Sequence, residues 1–435
     1  MTINSDKSMA NLLIRGSSVL AVIYCGLLAL SGCQMQSQSI RQTLTNDAAE
    51  EADSFGKAQK LLRQRDQPLR AYAVLERLSI TQKPLLQVAT QFHAFLGRER
   101  LTQGIWEQAY PITGQTLQPS SIAAADLRPL DALQEIATQA ESKRIVILNE
   151  NHASQRQRAF AFELAMALRK KGFTHLGLEA LTSDLSAEVI KAGIATTAGL
   201  YTNDPLLADL IRQSSKQGYT IFAYDHHSGS TADPNLREKF QAENIKKVLD
   251  ADPSAKVFLY VGFGHGSKST VRSSLKVLGQ RLVEMMENEV YSIDQFKGVP
   301  ASQPSLDTPI YQAVARTLLH DRATVFRRQS GELLSSKGFD VEVFHPRTAE
   351  IHGRGTWMTM KGYRKLHEIN IAPLPARTLV RARTLPLQKG GVAMDQVLIN
   401  SLETQAALFL PIGEYELFRE SETGVAEKMG RVTVK

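Results

Sequence analysis

The chain has 435 residues, 43% hydrophobic and 22% charged. That is ordinary for two or three packed domains and too apolar for a disordered chain. Its 51 Lys and Arg against 44 Asp and Glu give a formal charge of +7. The excess is dispersed, with no basic run interleaved with aromatics, which argues against nucleic-acid binding and leaves weak attraction to anionic lipid as the simpler reading.

In chain order, Lys7 and Arg15 precede Ser17–Leu30, an apolar stretch too short for an ordinary transmembrane helix. It ends in Leu30-Ser31-Gly32-Cys33, which resembles the lipobox of bacterial lipoproteins. The resemblance implies that 1–33 is a lipoprotein signal peptide with its lipidated cysteine, cut before Cys33, whose thiol is diacylated. Gln34, not Asp, follows the cysteine. In such lipoproteins this implies an outer-membrane protein facing the periplasm of a Gram-negative-type envelope. Cys25 and Cys33 are the only cysteines. The mature chain therefore has no disulfide and no thiolate metal centre, and any metal site must use His, Asp, Glu or Tyr.

Residues 34–55 are polar and unpatterned and read as a tether. Residues 56–140 carry apolar side chains at three- and four-residue spacings and read as a helical region, broken by Pro68 and Pro84. Across 141–300 the periodicity alternates. RIVILNE, FTHLGLEA, YTIFAYD, KVFLYVGFG and EVYSID read as strands. Between them, Gln155–Lys171, Ser183–Lys191, Pro205–Gln217, Pro234–Leu249 and Val271–Met286 read as helices. This pattern predicts an α/β domain with a largely parallel sheet covered by helices on both faces. Residues 301–371 read as a helical and mixed extension, with helical stretches in Pro309–Asp321 and Ala323–Lys337. Residues 372–435 read as a small β module.

Polar residues end these apolar strands: Glu150 and His152 the first, Glu179 the second, Asp225 with His226 and His227 the third, His265 the fourth. In a parallel α/β sheet such ends share one edge, where ligands bind. Glu150 and His152 are two apart on an extended segment and face the same side. Two adjacent histidines diverge, so at most one of His226 and His227 faces the crevice. Glycines on both sides of His265 permit close ligand approach. Lys268 and Arg237 are candidate electropositive partners for an anionic group, with Arg237 alternatively a solvated helix residue or a partner of Glu179. Gly266-Ser267-Lys268-Ser269-Thr270 lacks the phosphate-loop spacing, and there is no zinc-protease or nucleophile-elbow motif.

The order strand-x-Glu-x-His, helix, strand ending in Glu179, an Arg-bearing helix with AENI, then strand-Gly-x-Gly-His resembles the superfamily joining ChaN-type haem-binding lipoproteins, Tiki proteases and erythromycin esterases. The resemblance covers about Arg144–Asp294. Asn149 stands where the family's first motif begins with glycine. The resemblance implies Glu150, His152, Glu179 and His265 as the site. It leaves three activities open. One is an ester or amide hydrolase in which Glu150 or His152 activates water. The second is a haem- or metal-binding lipoprotein, with Glu150, His152 and His265 as metal ligands or His152 and Tyr201 as haem ligands. The third is a structural envelope protein with a vestigial pocket. The partners on this reading are the membrane, reached through Cys33, and a small-molecule ligand or substrate; a homodimer stays open.

Overall fold

A computed structural model describes residues 53–79, 83–111, 122–182, 184–191, 193–225, 233–269, 275–371, 377–388, 390–400 and 403–435. The signal-like segment with Cys33, and His226 and His227, lie outside them. Helices α1 (53–65), α2 (Pro68–Ser79), α3 (Lys83–Ala94) and α4 (Glu99–Ala109) lead the described chain. Strand β1 (Leu127–Asp131) and helix α5 (Ala132–Gln139) follow. Then come β2 (Ile145–Glu150), α6 (Gln155–Arg169), β3 (His175–Leu178), α7 (Ala187–Lys191), α8 (Pro205–Lys216), β4 (Thr220–Ala223), α9 (Pro234–Ala251), β5 (Val257–Gly262), α10 (Leu278–Met286) and β6 (Val290–Asp294).

The central sheet has six strands, the last being β8 (Val341–Glu342), in the order β4-β3-β5-β2-β6-β8 with every neighbouring pair parallel. Its strands are mostly apolar until their carboxyl ends because both faces are covered. Val146, Leu148, Leu176, Leu178, Phe258 and Tyr260 share a core with α6 and α8. Ile145, Ile147, Val257, Leu259 and Val261 pack against α9 and α10 on the other face. The predicted α/β class with helices on both faces is therefore what the chain forms. Helix starts are set by local chemistry: Asp204 accepts from the backbone N–H groups of Leu206 and Leu207 at 2.9 and 3.2 Å, and Pro205 opens α8.

The predicted helical stretch in Ala323–Lys337 is a strand instead. Thr324–Arg328 (β7) pairs antiparallel with β1, Leu130 opposite Val325. The β-branched and aromatic residues of TVFRR fit a half-covered pleat, and pairing decides between the two readings. The helix expected over Pro309–Asp321 spans only Pro309–Val314 (α11), and the described part of Val271–Met286 turns helical at Leu278.

Beyond the short strands β9 (Glu350–Ile351) and β10 (Arg354–Gly355), β11 (Lys365–Asn370) pairs with β14 (Gln405–Leu410). Strands β12 (Thr378–Thr384), β13 (Asp395–Ile399), β15 (Gly413–Ser421) and β16 (Ala426–Val434) form an antiparallel sheet in the order β13-β12-β15-β16. The flanking regions share one core with the central sheet: Leu62, Tyr72 and Phe92 of the leading helices and Leu379 and Leu398 of the last strands join the cluster beneath α6. Polar contacts tie the two ends together. Leu69 N–H donates to Glu420 Oε1 at 3.1 Å, and Arg98 Nε donates to the Leu398 carbonyl at 2.6 Å. No described helix is long and apolar enough to cross a membrane.

Candidate active site

The strand-end residues meet at the carboxyl edge of the sheet. Glu150 ends β2 opposite Gly262 of β5, and Leu148 lies opposite Tyr260. Strand alternation therefore puts Tyr260 on the Glu150 face, and its hydroxyl donates to Glu150 Oε2. Arg158, the fourth residue of α6, donates from Nε to Glu150 Oε2 at 3.3 Å and from Nη2 to the His152 carbonyl at 2.8 Å; its Nη1 is 3.1 Å from Asp204 Oδ2. Burial alone would raise the Glu150 pKa, but the Arg158 charge, the His152 ring and the Tyr260 hydroxyl outweigh it and hold the carboxyl below its ordinary value. Glu150 is thus a fixed carboxylate that only accepts. His152 Nδ1 lies 2.6 Å from Glu150 Oε1 and donates to it, which turns Nε2 toward Glu179.

Glu179 sits one residue past β3. Its Oε2 accepts the Gly262 N–H at 2.8 Å and its Oε1 accepts from Arg237 Nη2 at 3.0 Å. Arg237 also binds Asp225, at 3.0 and 2.6 Å, so it is the partner of two carboxylates. Burial would raise the Glu179 pKa; His265, His152 and Arg237 together hold it well below the carboxylate range. His265 completes the set. Its Nδ1 is 2.5 Å from Glu238 Oε1, and Glu238 Oε2 accepts the Leu278 N–H at 2.7 Å. Burial would lower the His265 pKa, but Glu238 and then Glu179 raise it to about 8.

The result is two carboxylate–imidazole pairs, Glu150–His152 and Glu238–His265, facing one central carboxylate. The Nε2 atoms of His152 and His265 lie 3.8 and 3.9 Å from the Glu179 oxygens. Rings hold His152 in place. Tyr201 stacks on it at 3.9 Å and 19°, and Phe263 meets it edge-on at 4.7 Å. Trp106 of α4 backs Phe263 at 5.7 Å. A Cβ at Gly262 would come within 2.2 Å of the His152 ring, so this strand end has to be glycine. Asn149 has a role of its own: Oδ1 accepts the Gly264 N–H at 2.7 Å and Nδ2 donates to Asp294 Oδ1 at 2.8 Å, tying the glycine loop to β6.

The arrangement does not fit a metal. Among the described residues no three His, Cys, Asp or Glu side chains converge as ligands. The oxygens of Glu150 are engaged by Arg158, Tyr260 and His152. Nor do His152 and Tyr201 fit haem. Their 3.9 Å stacking leaves no plane for a porphyrin between them. Burial, Glu179 and Glu150 also raise the Tyr201 pKa well above its ordinary value, away from the phenolate. Lys268 stands apart from the cluster, on Asp340 Oδ1 at 2.5 Å.

Arg158, Tyr260 and Glu238 escaped the sequence reading. Tyr260 was signalled by a lone hydroxyl in an apolar strand, two residues before the glycine loop. Arg158 was signalled by the polar run Gln155-Arg156-Gln157-Arg158 opening a helix that is mostly apolar beyond it. Nothing in the sequence pairs Glu238 with His265.

No family model and no curated protein matches the chain. Among solved structures, the type III effector HopBA1 is similar over 39% of this chain and 86% of its own, at 12% identity and a TM-score of 0.27. RRSP, a MARTX toxin effector domain from Vibrio vulnificus CMCP6, is similar over 60% of this chain and 48% of its own, at 16% identity and a TM-score of 0.25.

Proposed function

We propose that this edge of the sheet is the active site of a hydrolase that cleaves an ester or amide by activating water, with His152 as general base and His265 as general acid. The convergence of the two Nε2 atoms on Glu179 carries the reading. A water between His152 Nε2 and Glu179 gives one proton to the imidazole as its oxygen attacks the carbonyl carbon. Glu150 stabilises the imidazolium so formed. His265 Nε2–H hands its proton to the departing oxygen or nitrogen as the acyl bond breaks. The products are a carboxylic acid and an alcohol or amine. The proton on His152 then replaces, through solvent, the one His265 gave up. The resemblance of the motif order to that of the ChaN, Tiki and erythromycin esterase superfamily supports the same reading.

The acid must be protonated, so activity on a panel of ester and amide substrates should fall as pH rises through about 8. His265→Gln should erase that alkaline limb and lower kcat by about 100-fold. A limb that survives in the variant, or a chain that turns over no member of the panel, ends the proposal. The sign for stability follows from the same pair. The raised pKa contributes stability that is complete below the ordinary histidine value of about 6.5. It is lost as pH rises through about 8.

We further propose that the site works in the cell envelope, on a chain anchored through an acylated Cys33. The short apolar segment ending in Leu30-Ser31-Gly32-Cys33 supports this. Cys33→Ser should abolish palmitate labelling and release the protein from membranes; labelling that persists would overturn the anchor.

A further inference from the structure

On the far side of α6 from Glu150, two cavities of 510 and 320 Å³ share Arg156, Arg347, Thr348 and Trp357 as walls. Together they have the size of a small-molecule site. Arg156 is 7% exposed. Among the described residues its guanidinium makes no hydrogen bond, and its ring contact is with Trp357, 5.9 Å to the centroid. A guanidinium has five N–H donors, and burying them without an acceptor is costly.

The other cations on these walls are engaged. Arg347 donates to the Ala301 carbonyl and to Asp307 Oδ1, both at 2.8 Å. Arg322 donates to Asp321 at 2.8 and 3.0 Å. Lys361 is 3.4 Å from Glu163, and Arg100 is 3.8 Å from Glu350. Glu99, the wall carboxylate buried beside Arg156, accepts instead from the Ser154 hydroxyl at 3.0 Å and the Arg156 backbone N–H at 3.2 Å. One buried fork therefore faces the cavities with its donors unfilled, and an indole lies beside it.

We propose that this is a second ligand site, separate from the Glu150–His152 crevice, for a small molecule that carries a carboxylate or phosphate on an aromatic or apolar body. The oxyanion takes the Arg156 fork in the bidentate geometry such groups favour, and the body lies along Trp357. The site does not depend on the hydrolase reading.

The chain has two tryptophans, Trp106 and Trp357, so Trp106→Phe leaves Trp357 as the reporter. In the full-length Trp106→Phe protein, phenyl phosphate or benzoate should give a saturable change in emission, and phenol, which lacks the anion, should not. Adding Arg156→Met should raise the apparent Kd by about tenfold or more. Its thermal unfolding should fall, because the guanidinium it removes offsets the buried Glu99 charge, so affinities are compared at a temperature where both proteins are folded. Arg156→Lys, which keeps the charge and loses the fork, should also weaken binding and serves if the methionine variant does not fold. Response to only one of the two anions identifies the group the site takes. No saturable response to either anion, an equal response to phenol, or unchanged affinity in the Arg156 variants would overturn the proposal.

Discussion

Glu150→Gln should lower kcat by about 1,000- to 10,000-fold and leave KM nearly unchanged, because the amide no longer fixes the His152 tautomer or stabilises the imidazolium. The side chain it replaces is also structural. Glu150 is 2% exposed and accepts from Arg158, Tyr260 and His152. Three donors converge on two carboxylate oxygens, and an amide offers one oxygen and a competing NH2. Arg158 keeps Asp204 at 3.1 Å, so no guanidinium is left wholly uncompensated. The stability loss is then about 1–3 kcal/mol. Rates taken well below the variant's melting temperature, beside a denaturant titration, separate the two effects. A variant that keeps full kcat would remove Glu150, and with it the orienting carboxylate, from the mechanism.

The largest effect on stability should come from Asp209→Ala. Asp209 on α8 accepts from Arg364 Nη2 at 2.7 Å and from the Tyr363 hydroxyl at 3.2 Å. The side chains of Asp209 and Arg364 are both 0% exposed. Arg364 Nη1 also reaches the Met394 and Phe409 carbonyls at 3.1 and 2.9 Å, so this guanidinium bolts the C-terminal strands onto the α/β core. Removing the carboxylate leaves a buried charge, at a cost of about 3–5 kcal/mol. The double variant Asp209→Leu, Arg364→Met should recover a large part of that loss, since a buried ion pair and a well-packed apolar pair of similar volume differ little. Denaturant unfolding of the two single variants and the double gives the coupling. If Asp209→Ala costs less than about 1 kcal/mol, the pair does not hold these layers together.

What the sequence disclosed follows from where its signals are local. The five main strands were legible because each is an apolar run bounded by helical periodicity. Glu150, His152, Glu179 and His265 were legible because each interrupts such a run at its end. Parallel order did the rest, bringing residues up to 115 apart onto one edge. Arg237 could be read three ways until the fold set it 3.0 Å from Glu179. The strand at Thr324–Arg328 was hidden because its partner, Leu127–Asp131, lies almost 200 residues away. The buried arginines were hidden for a different reason. Arg158, Arg354 and Arg364 look like surface residues by type, and only tertiary pairing with Asp204, Asp395 and Asp209 makes an interior arginine tolerable. Metal and haem readings rested on the family resemblance, carried onto His152, Tyr201, Glu150 and His265. Against them stand the 3.9 Å stacking of Tyr201 on His152 and the engagement of both Glu150 oxygens by Arg158, Tyr260 and His152.

The bonds between the leading helices and the last strands set the order in which the molecule can be made. Leu69 waits for Glu420, and Gln67 for Gly424, across separations of 351 and 357 residues. At equilibrium, closing so long a loop adds little, because its entropic cost grows only with the logarithm of length. In time it matters more. During translation the apolar faces of α1 to α3 emerge first, and the strands that cover them emerge last. Until then those faces remain open to solvent and to other unfinished chains. A ribosome that stalls before β12 would therefore display a sticky, half-covered helical surface, not a finished domain awaiting an appendage.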